Sequence, residues 1–409
     1  MKVLYLHQYF NTPDMSGGTR SYEMARRLAS HGHEVHMITS WRKPTDRKGW
    51  FEQQLDGIHV HWLPVPYSSH MSFRERLQAF SHFALHAGNR AISLGGDVIF
   101  ATSTPLTIAI PGVLAKWRLR VPMVFEVRDL WPELPIAIGE LHNPFLKAAA
   151  RLLEKYAYRN SACIVALSEG MADGIVSSGY PREQVHVIPN GSDLVLFCPV
   201  NGAGKAFRSK IPNVEGKPLI TYAGALGTVN GVGYLTDIAA AALKIAPELR
   251  FAVVGKGKEY KFIRQRAKAL GVLGLTFFMF PSVPKNEMPY VLAGSDVAIS
   301  LFIDLEPMWA NSANKFFDAL AACKPVAINY GGWQAKVLEQ SGAGIRLPAN
   351  DPMLAARMLA DWTTARASLQ KAGIAARRLA EECYDRDKLS TKMETVLLTA
   401  IQSGGGKTH

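Results

Sequence analysis

The stretch Asn311–Gly331, NSANKFFDALAACKPVAINYG, decides the fold. It reads as a loop of small polar residues entering a helix at about Ala313–Ala322, followed by Lys324-Pro325 and the apolar strand Val326–Asn329. Phe316, Phe317, Leu320 and Ala321 recur at helical spacing and supply a buried side. Lys315 and Asp318 stand three residues apart, so the helix puts a cation and a carboxylate on one face, where they meet either each other or a polar ligand. The loop at Asn311-Ser312 leaves backbone N–H groups open at the helix start, a position that favours an anion such as a sugar phosphate.

Composition bounds what surrounds this unit. At 409 residues the chain exceeds what one core usually serves, so two domains are expected. Cys163, Cys198, Cys323 and Cys383 show no CxxC or Cys/His ligand spacing and no secretory signal precedes them, which points to reduced thiols in a cytoplasmic protein without structural zinc. Apolar runs stay short of a membrane span: Thr104–Val121 is cut by Pro105, Pro111 and Lys116. The formal charge of +12 calls for an acidic partner, but residues 1–200 hold 20 Lys+Arg against 17 Asp+Glu and residues 201–409 hold 26 against 17. An excess so diffuse, without basic blocks, argues against nucleic acid and for phosphorylated substrates or anionic lipid.

From the N-terminus, the strand Lys2–His7 leads through a loop ending in Ser16-Gly17-Gly18 to a helix at Thr19–His31, closed by Gly32, and then to the strand Val35–Ser40. The glycine turn thus sits at the carboxyl edge of the first strand, where open α/β sheets bind ligands. The dinucleotide fingerprint GxGxxG is absent from it. Strands follow at Ile58–Leu63, Asp97–Ala101, Met123–Val127, Cys163–Leu167 and Val185–Ile188, with helical segments between, so residues 1 to about 190 are expected to form a doubly wound, mostly parallel sheet. Glu126, Arg128, Asp129 and Glu133 cluster at one strand end around Trp131-Pro132; they read as a site, or as an ion pair and a cap with the indole free to stack on a sugar. Met71–Leu94, with Phe73, Leu77, Phe80 and Phe83 beside Arg74, Arg76 and His82, and residues 116–120, with Trp117 among Lys116, Arg118 and Arg120, suit a membrane surface or a helix packed by its phenylalanines.

Pro189–Gly204 is rich in Pro, Gly and Asn and reads as a boundary, after which the pattern starts again. Leu219–Ala223 enters the loop Gly224–Gly231 and a helix at Val232–Leu243; its glycines let backbone approach a pyrophosphate at a helix start. Strands are expected at Arg250–Val254, Leu275–Phe278 and Val297–Leu301, each opening into a loop at the same edge. Gly255-Lys256-Gly257 resembles a nucleotide fingerprint, but Tyr260 replaces its third glycine. Pro352–Ile401 is largely helical with a break at Cys383-Tyr384, and Gly404-Gly405-Gly406 begins a tail. The expected domains are 1–195, a linker 196–205, 206–383, and a terminal helix at 384–409 returning to the first domain.

The Gly17-Gly18 loop, VRDLWPE at 127–133, PNGSD at 189–193, GALG at 224–227 and NKFFDALAACKPV at 314–326 together resemble the retaining GT-B glycosyltransferases of family 4, over essentially the whole chain. The likeness is nearest to bacterial O-antigen and capsule transferases acting on undecaprenyl-diphosphate-linked sugars, including N-acetyl-L-fucosaminyl transferases. It implies an α/β GT-B fold, two Rossmann-like domains facing across a cleft, with a UDP-sugar as co-substrate, no cofactor and no metal. It also implies a peripheral place on the inner face of the cytoplasmic membrane. By the same likeness Asp318 holds the ribose, as the second acid of the family's E-x7-E motif, and Gly224, Gly227 and Asn230 lie at the diphosphate. Ser282 and Val283 meet the base, Asn311, Ser312, Asn314 and Lys315 flank the diphosphate and sugar, and Gly17 and Gly18 close over the donor. Glu126, Arg128 and Asp129 face the acceptor or the transferred sugar.

The sequence departs from that pattern in three places. Ala310 occupies the first acid's position, Ala225 and Asn230 replace the family's Arg and Lys after the diphosphate glycine, and Cys323 stands where glycine is usual. Lys315 is the candidate to supply the missing charge. The implied reaction is transfer with retention, the departing phosphate taking the acceptor's proton while Lys315 and N–H groups stabilise the diphosphate. Asp385-Arg386-Asp387, the sole DxD triplet, is expected to cap the terminal helix rather than bind metal. Two other readings remain open at this stage: a UDP-sugar epimerase or hydrolase of the same fold, and a non-catalytic sugar-nucleotide-binding protein.

Overall fold

The computed structural model describes residues 1–15, 17–66, 71–200 and 202–405. Ser16, Asn201, the Phe73 side chain and the tail from 406 lie outside the described residues. The chain divides into two compact units, residues 1–189 with 387–409, and residues 190–386.

In the first unit the strands are β1 (Lys2–Leu6), β2 (Glu34–Trp41), β3 (Phe51–Leu55), β4 (Ile58–Pro64), β5 (Val98–Thr102), β6 (Met123–Val127), β7 (Cys163–Ala166) and β8 (Val185–Val187). They form one sheet in the order β3-β4-β2-β1-β5-β6-β7-β8, parallel throughout except for β3 against β4. Continuous apolar runs such as Val98-Ile99-Phe100-Ala101 are buried on both faces, as a parallel sheet requires. The sequence pattern missed β3, FEQQL, because an exposed edge strand carries no apolar run to detect. The order reverses between β1 and β5, which makes the carboxyl ends of those strands the switch point where such sheets bind ligands. The last helix, Arg386–Gly405, sends Leu389, Met393, Val396, Leu397 and Ala400 into this unit's core beside Val3, Tyr5 and Phe10.

The second unit repeats the plan with β9 (Leu219–Ala223), β10 (Arg250–Val254), β11 (Phe277–Phe280), β12 (Val297–Ser300), β13 (Val326–Ile328) and β14 (Gly344–Arg346), all parallel in the order β11-β10-β9-β12-β13-β14. Its switch point lies between β9 and β12. β11 begins two residues later than its expected Leu275–Phe278, because Leu275, Thr276 and Phe277 all turn back to donate to the Val272 carbonyl before the strand starts. The deciding helix runs Asn314–Ala321 with Phe316, Phe317, Leu320 and Ala321 fully buried. Phe316 and Phe317 pack with Trp333 and with Tyr384, the residue that follows the helix Arg366–Cys383, so the break near Cys383 has a packing function.

Candidate active site

The second unit assembles its polar residues at the switch point. Gly224 follows β9, Phe302 follows β12, and the helix Asn314–Ala321 begins beside them with no side chain capping its first turn. Lys315 is half-buried, its Nζ 4.6 Å from the ring centre of Phe302 and 5.1 Å from that of Tyr222. Such cation–π contacts contribute about 0.5–2 kcal/mol each, but they leave the charge without a counter-ion. Among the described residues Lys315 makes no ion pair. Burial pushes its ammonium down to about 7.

Lys315 also lies in ordinary packing range of Gly224. A Cβ at that position would lie 3.4 Å from Lys315 Cε and 3.5 Å from the Tyr222 hydroxyl, which itself donates to the Ala225 carbonyl at 2.7 Å. Gly255-Lys256-Gly257 braces this loop: a Cβ on Gly255 would sit 2.0 Å from the Gly224 carbonyl oxygen, and Leu226 N–H donates to Lys256 O. The Gly224 and Gly227 amides are themselves committed, to Val254 O and to the Asn230 side-chain oxygen. The GALG loop is therefore held rigid by its own glycines and Asn230, and the free charge at its edge comes from Lys315.

Asp318 does not pair with Lys315. Three residues of helix advance the azimuth by about 300°, leaving the two side chains about 60° apart and a turn removed. That is enough to send Asp318 elsewhere: it is 6% exposed, pairs with Lys285 Nζ at 2.5 Å and accepts from the Ser192 hydroxyl at 3.3 Å. Lys285, whose ammonium lies over the Phe197 ring, follows directly on the Ser282-Val283 loop and so ties that loop to Asp318. Ser282 is exposed, whereas Val283 packs on the apolar cluster of Phe207, Ile211 and Phe278. Asn311 is occupied in its own turn, accepting from Ala313 N–H and donating to Met308 O, and the Ser312 hydroxyl accepts from Asn190 N–H. Asn314 is half-buried at the helix start beside Lys315.

The first unit corrects the reading of its polar strand end. Glu126 is turned into the protein: it is fully buried, accepting from Arg20 Nε at 2.9 Å and from the Thr102 hydroxyl at 2.6 Å. Arg20 in turn donates to the carbonyls of Pro189 and Ile188. The cause is position, since Glu126 lies inside β6 and an acid in a strand buried on both faces must find a buried cation. Sequence reading missed Arg20, although a lone acid in MVFEV asks for such a partner.

Arg128 and Asp129, one and two residues past β6, do reach the sheet's carboxyl edge. Arg128 donates through Nη1 to His7 Nε2 at 3.2 Å, and its backbone N–H to the Ser103 hydroxyl. Burial pushes the half-buried Asp129 carboxyl up to about 6, against the opposing pull of Arg128 and Thr104. Gly17 adopts φ 135°, a conformation that favours glycine, and a Cβ there would meet the Asn11 amide at 2.6 Å, while Asn11 donates to Gly18 O. The Asp385-Arg386-Asp387 triplet is spent on ties, Asp387 pairing with Arg27 and Arg386 donating to Gly191 O.

Two family models match the chain: residues 17–191 the "Glycosyl transferase 4-like domain" and residues 205–379 the "Glycosyl transferases group 1" domain. The chain belongs to the GT-B glycosyltransferases. Similar to this glycosyltransferase is WcaI of Escherichia coli strain K12, a protein assigned as a colanic acid biosynthesis glycosyl transferase, 25% identical over 72% of this chain and 75% of WcaI. WbjE of Pseudomonas aeruginosa, assigned as a glycosyltransferase, is 23% identical over 69% of this chain and 70% of its own. Among solved structures, Anabaena HepE in complex with UDP and glucose shares the fold at a TM-score of 0.71 and 16% identity, covering 98% of this glycosyltransferase and 100% of HepE.

Proposed function

We propose that this glycosyltransferase moves a sugar from a UDP-sugar to a lipid-diphosphate-linked saccharide in the assembly of a bacterial surface polysaccharide, with retention and without a metal ion. The observation that carries the reading is Lys315: a half-buried ammonium with no carboxylate partner among the described residues, set against the GALG loop and an uncapped helix start, is placed for an anion such as a diphosphate. Lys315 then stabilises the charge that grows on the leaving diphosphate, and the helix N–H groups assist at no reorganisation cost. Asp318, with Lys285, takes the ribose, and Ser282 and Val283 the base. Asn314 lies by the diphosphate. Asn311, Ser312, Gly227 and Asn230 keep the second unit's loops at the donor in shape, and Gly17 and Gly18 shape the first unit's own glycine loop. Arg128 and Asp129 serve the acceptor or the transferred sugar, an N-acetylated deoxyhexosamine such as N-acetyl-L-fucosamine. HepE with UDP bound and WcaI by its assigned role support the donor and product classes in this proposal.

The test mixes the full chain with a panel of UDP-sugars, and GDP-sugars as contrast, with and without a lipid-diphosphate-sugar acceptor, following nucleotide release and product mass. Release that requires acceptor and is lost in Lys315→Ala supports the transferase. Turnover without acceptor would move the reading to an epimerase or hydrolase, and binding without turnover to a non-catalytic protein.

A membrane surface belongs to the same proposal. Among the described residues no helix is long and apolar enough to cross a membrane. Trp117 nevertheless stands 59% exposed beside Lys116, Arg118 and Arg120, Leu85 on the helix Phe73–Leu94 is 66% exposed, and the helix Pro144–Arg159 adds Phe145 at 83% and Leu152 at 69% along with Lys147, Arg151 and Lys155. Phe83, by contrast, is buried. Exposed apolar residues among cations fit an anionic bilayer face. Co-sedimentation with phosphatidylglycerol vesicles, lost in Trp117→Ser with Phe145→Ser, tests it; equal binding by the double variant overturns it.

A further inference from the structure

The second unit encloses a cavity of about 420 Å³ that the proposed reaction does not use, within the roughly 300–1,000 Å³ usual for small-molecule pockets. None of the residues assigned to the donor lines it, and Ala293, Ala322 and Lys324 place it toward the amino ends of β12 and β13. Two glycines bring its walls together. A Cβ on Gly204 would lie 2.2 Å from the Gly294 nitrogen, and one on Gly294 2.9 Å from the Gly204 carbonyl oxygen, so the two backbones meet where no side chain fits. The same contact gathers two cations. Lys324 Nζ donates to Ser295 O at 2.8 Å and to Ala293 O at 3.2 Å, while the Ala293 carbonyl carbon would lie 2.4 Å from a Cβ on Gly204, the residue before Lys205. Lys205 and Lys324 therefore enter the lining from one corner of it.

The charges in the lining have one sign: Lys205, Arg208 and Lys324 belong to it, and among the described residues no carboxylate does. Arg208 is committed inside the protein, to the carbonyls of Gly294, Val214 and Lys217 and to Asp296 at 3.0 Å. Asp296, which does not line the cavity, is also held by Arg366 at 3.3 Å. Neither Lys205 nor Lys324 makes an ion pair among the described residues, and Lys324 gives the two carbonyls only two of its three N–H groups. Burial lowers the Lys324 ammonium from its ordinary value, with Asp296 pulling the other way. The remaining walls are largely apolar, with Phe197 buried and Val200 and Tyr290 exposed. We propose that this cavity is a second ligand site, apart from the donor's, for a small organic anion: its carboxylate or phosphate meets Lys205 and Lys324, and its apolar body lies along Phe197, Val200, Pro289 and Tyr290. Such a site does not depend on the transferase reading.

The experiment reads Cys198, an exposed thiol that lines the cavity, against Cys383, an exposed thiol that does not. The full chain is alkylated with iodoacetamide and the rate at each cysteine is followed by peptide mass spectrometry. The probes 1-naphthyl phosphate and 2-naphthoate are titrated separately, with 2-naphthol as the body without the charge and inorganic phosphate as the charge without the body. Saturable slowing at Cys198 with either organic anion, with Cys383 unchanged, supports the site, and the anion that acts identifies phosphate or carboxylate. Equal slowing by either control, or none by either organic anion, overturns it. Lys324→Met is expected to weaken the protection of Cys198 by about tenfold or more, the size of one hydrogen bond between charged groups. If that variant does not fold, for want of the bonds to Ala293 and Ser295, Lys205 decides. Protection weakened by about tenfold in Lys205→Ala and kept within about threefold in Lys205→Arg supports the site, and no change in Lys205→Ala overturns it. UDP is expected to leave the Cys198 rate alone. UDP competing with 1-naphthyl phosphate there would make the cavity the nucleotide's own, overturning the second site and moving the donor away from Lys315. Protection of Cys198 in a protein that transfers no sugar would refute the transferase reading and leave the site standing.

Discussion

Glu126 and Lys315 are each an ionisable side chain among apolar neighbours, one in each half of the chain, and they have opposite fates. Glu126 lies inside β6 and has every oxygen engaged by Arg20 and Thr102. Lys315 lies just past a loop, at the first turn of a helix, and has two aromatic rings in place of a carboxylate. A charge in the middle of a strand must be neutralised for the sheet to form. A charge at a strand's carboxyl edge can be left for something that is not part of the chain.

That contrast breaks most sharply on substitution. Glu126→Ala is expected to cost about 3–5 kcal/mol in urea unfolding, since it strands the Arg20 guanidinium in the interior. Lys315→Ala is expected to leave stability unchanged or to raise it, because it removes a partly desolvated cation that nothing in the chain neutralises. A Glu126→Ala protein as stable as the parent would remove the first half of the contrast.

Activity should sort the same two residues the other way. If Lys315 stabilises the leaving diphosphate, Lys315→Ala is expected to lower kcat by about 10²–10³, the loss seen when one preorganised charge-stabilising group is removed. Glu126→Gln, which keeps a hydrogen-bonding side chain in place, should lose activity only in proportion to the folded fraction. A kcat drop in Glu126→Gln at full folding would return that residue to the chemistry.

The pH dependence of nucleotide binding sharpens the point. Folded Lys315 sits at about 7 against an ordinary 10.5, so between those values the unfolded chain keeps a proton the folded chain has lost, and this group's contribution to stability rises with pH across that window. Anion binding runs the opposite way, because a diphosphate favours the protonated amine. UDP affinity should therefore fall as pH rises above 7, by up to about tenfold per unit, with uptake of one proton on binding. Calorimetry in buffers of different ionisation enthalpy measures that uptake. Lys315→Met should abolish it, and a flat profile in the parent would show that the amine is not at the anion.

Most of the architecture was legible because a parallel sheet writes itself in apolar runs: MVFEV, LITYA and RFAVV begin and end where the strands do. What the runs could not carry was lost. The polar edge strand FEQQL has no such run, and β11 slipped by two residues because Leu275 is apolar yet exposed in a turn. The site was legible in its types and misread in its partners. Lys315 and Gly224 were both singled out, and the structure brings them within contact. Asp318 was placed on the same face and turned out to belong to Lys285, because helical spacing gives azimuth but not which neighbour stands there. Arg20 and His7 were overlooked since their meaning depends on β6 and Arg128, more than a hundred residues away in the chain.

The smallest effect tests a departure from the family pattern. Cys323 stands at φ 56°, in the left-handed region that favours glycine, at the turn leaving the helix that carries Lys315. A non-glycine residue there carries strain of about 1–2 kcal/mol, which glycine would relieve, while glycine's freedom in the unfolded chain takes back roughly 0.4–1 kcal/mol. Cys323→Gly is thus expected to raise stability by about 0.5–1 kcal/mol, readable as a small upward shift in Tm. The neighbouring backbone gives the turn no room to relax: a Cβ on Gly373 would lie 2.6 Å from the Cys323 carbonyl oxygen. With the turn fixed, Cys323→Gly should leave kcat and UDP affinity where they were. If it lowers either, the strained turn sets the position of Lys315, and Lys315 is not the independent charge that the contrast with Glu126 makes it.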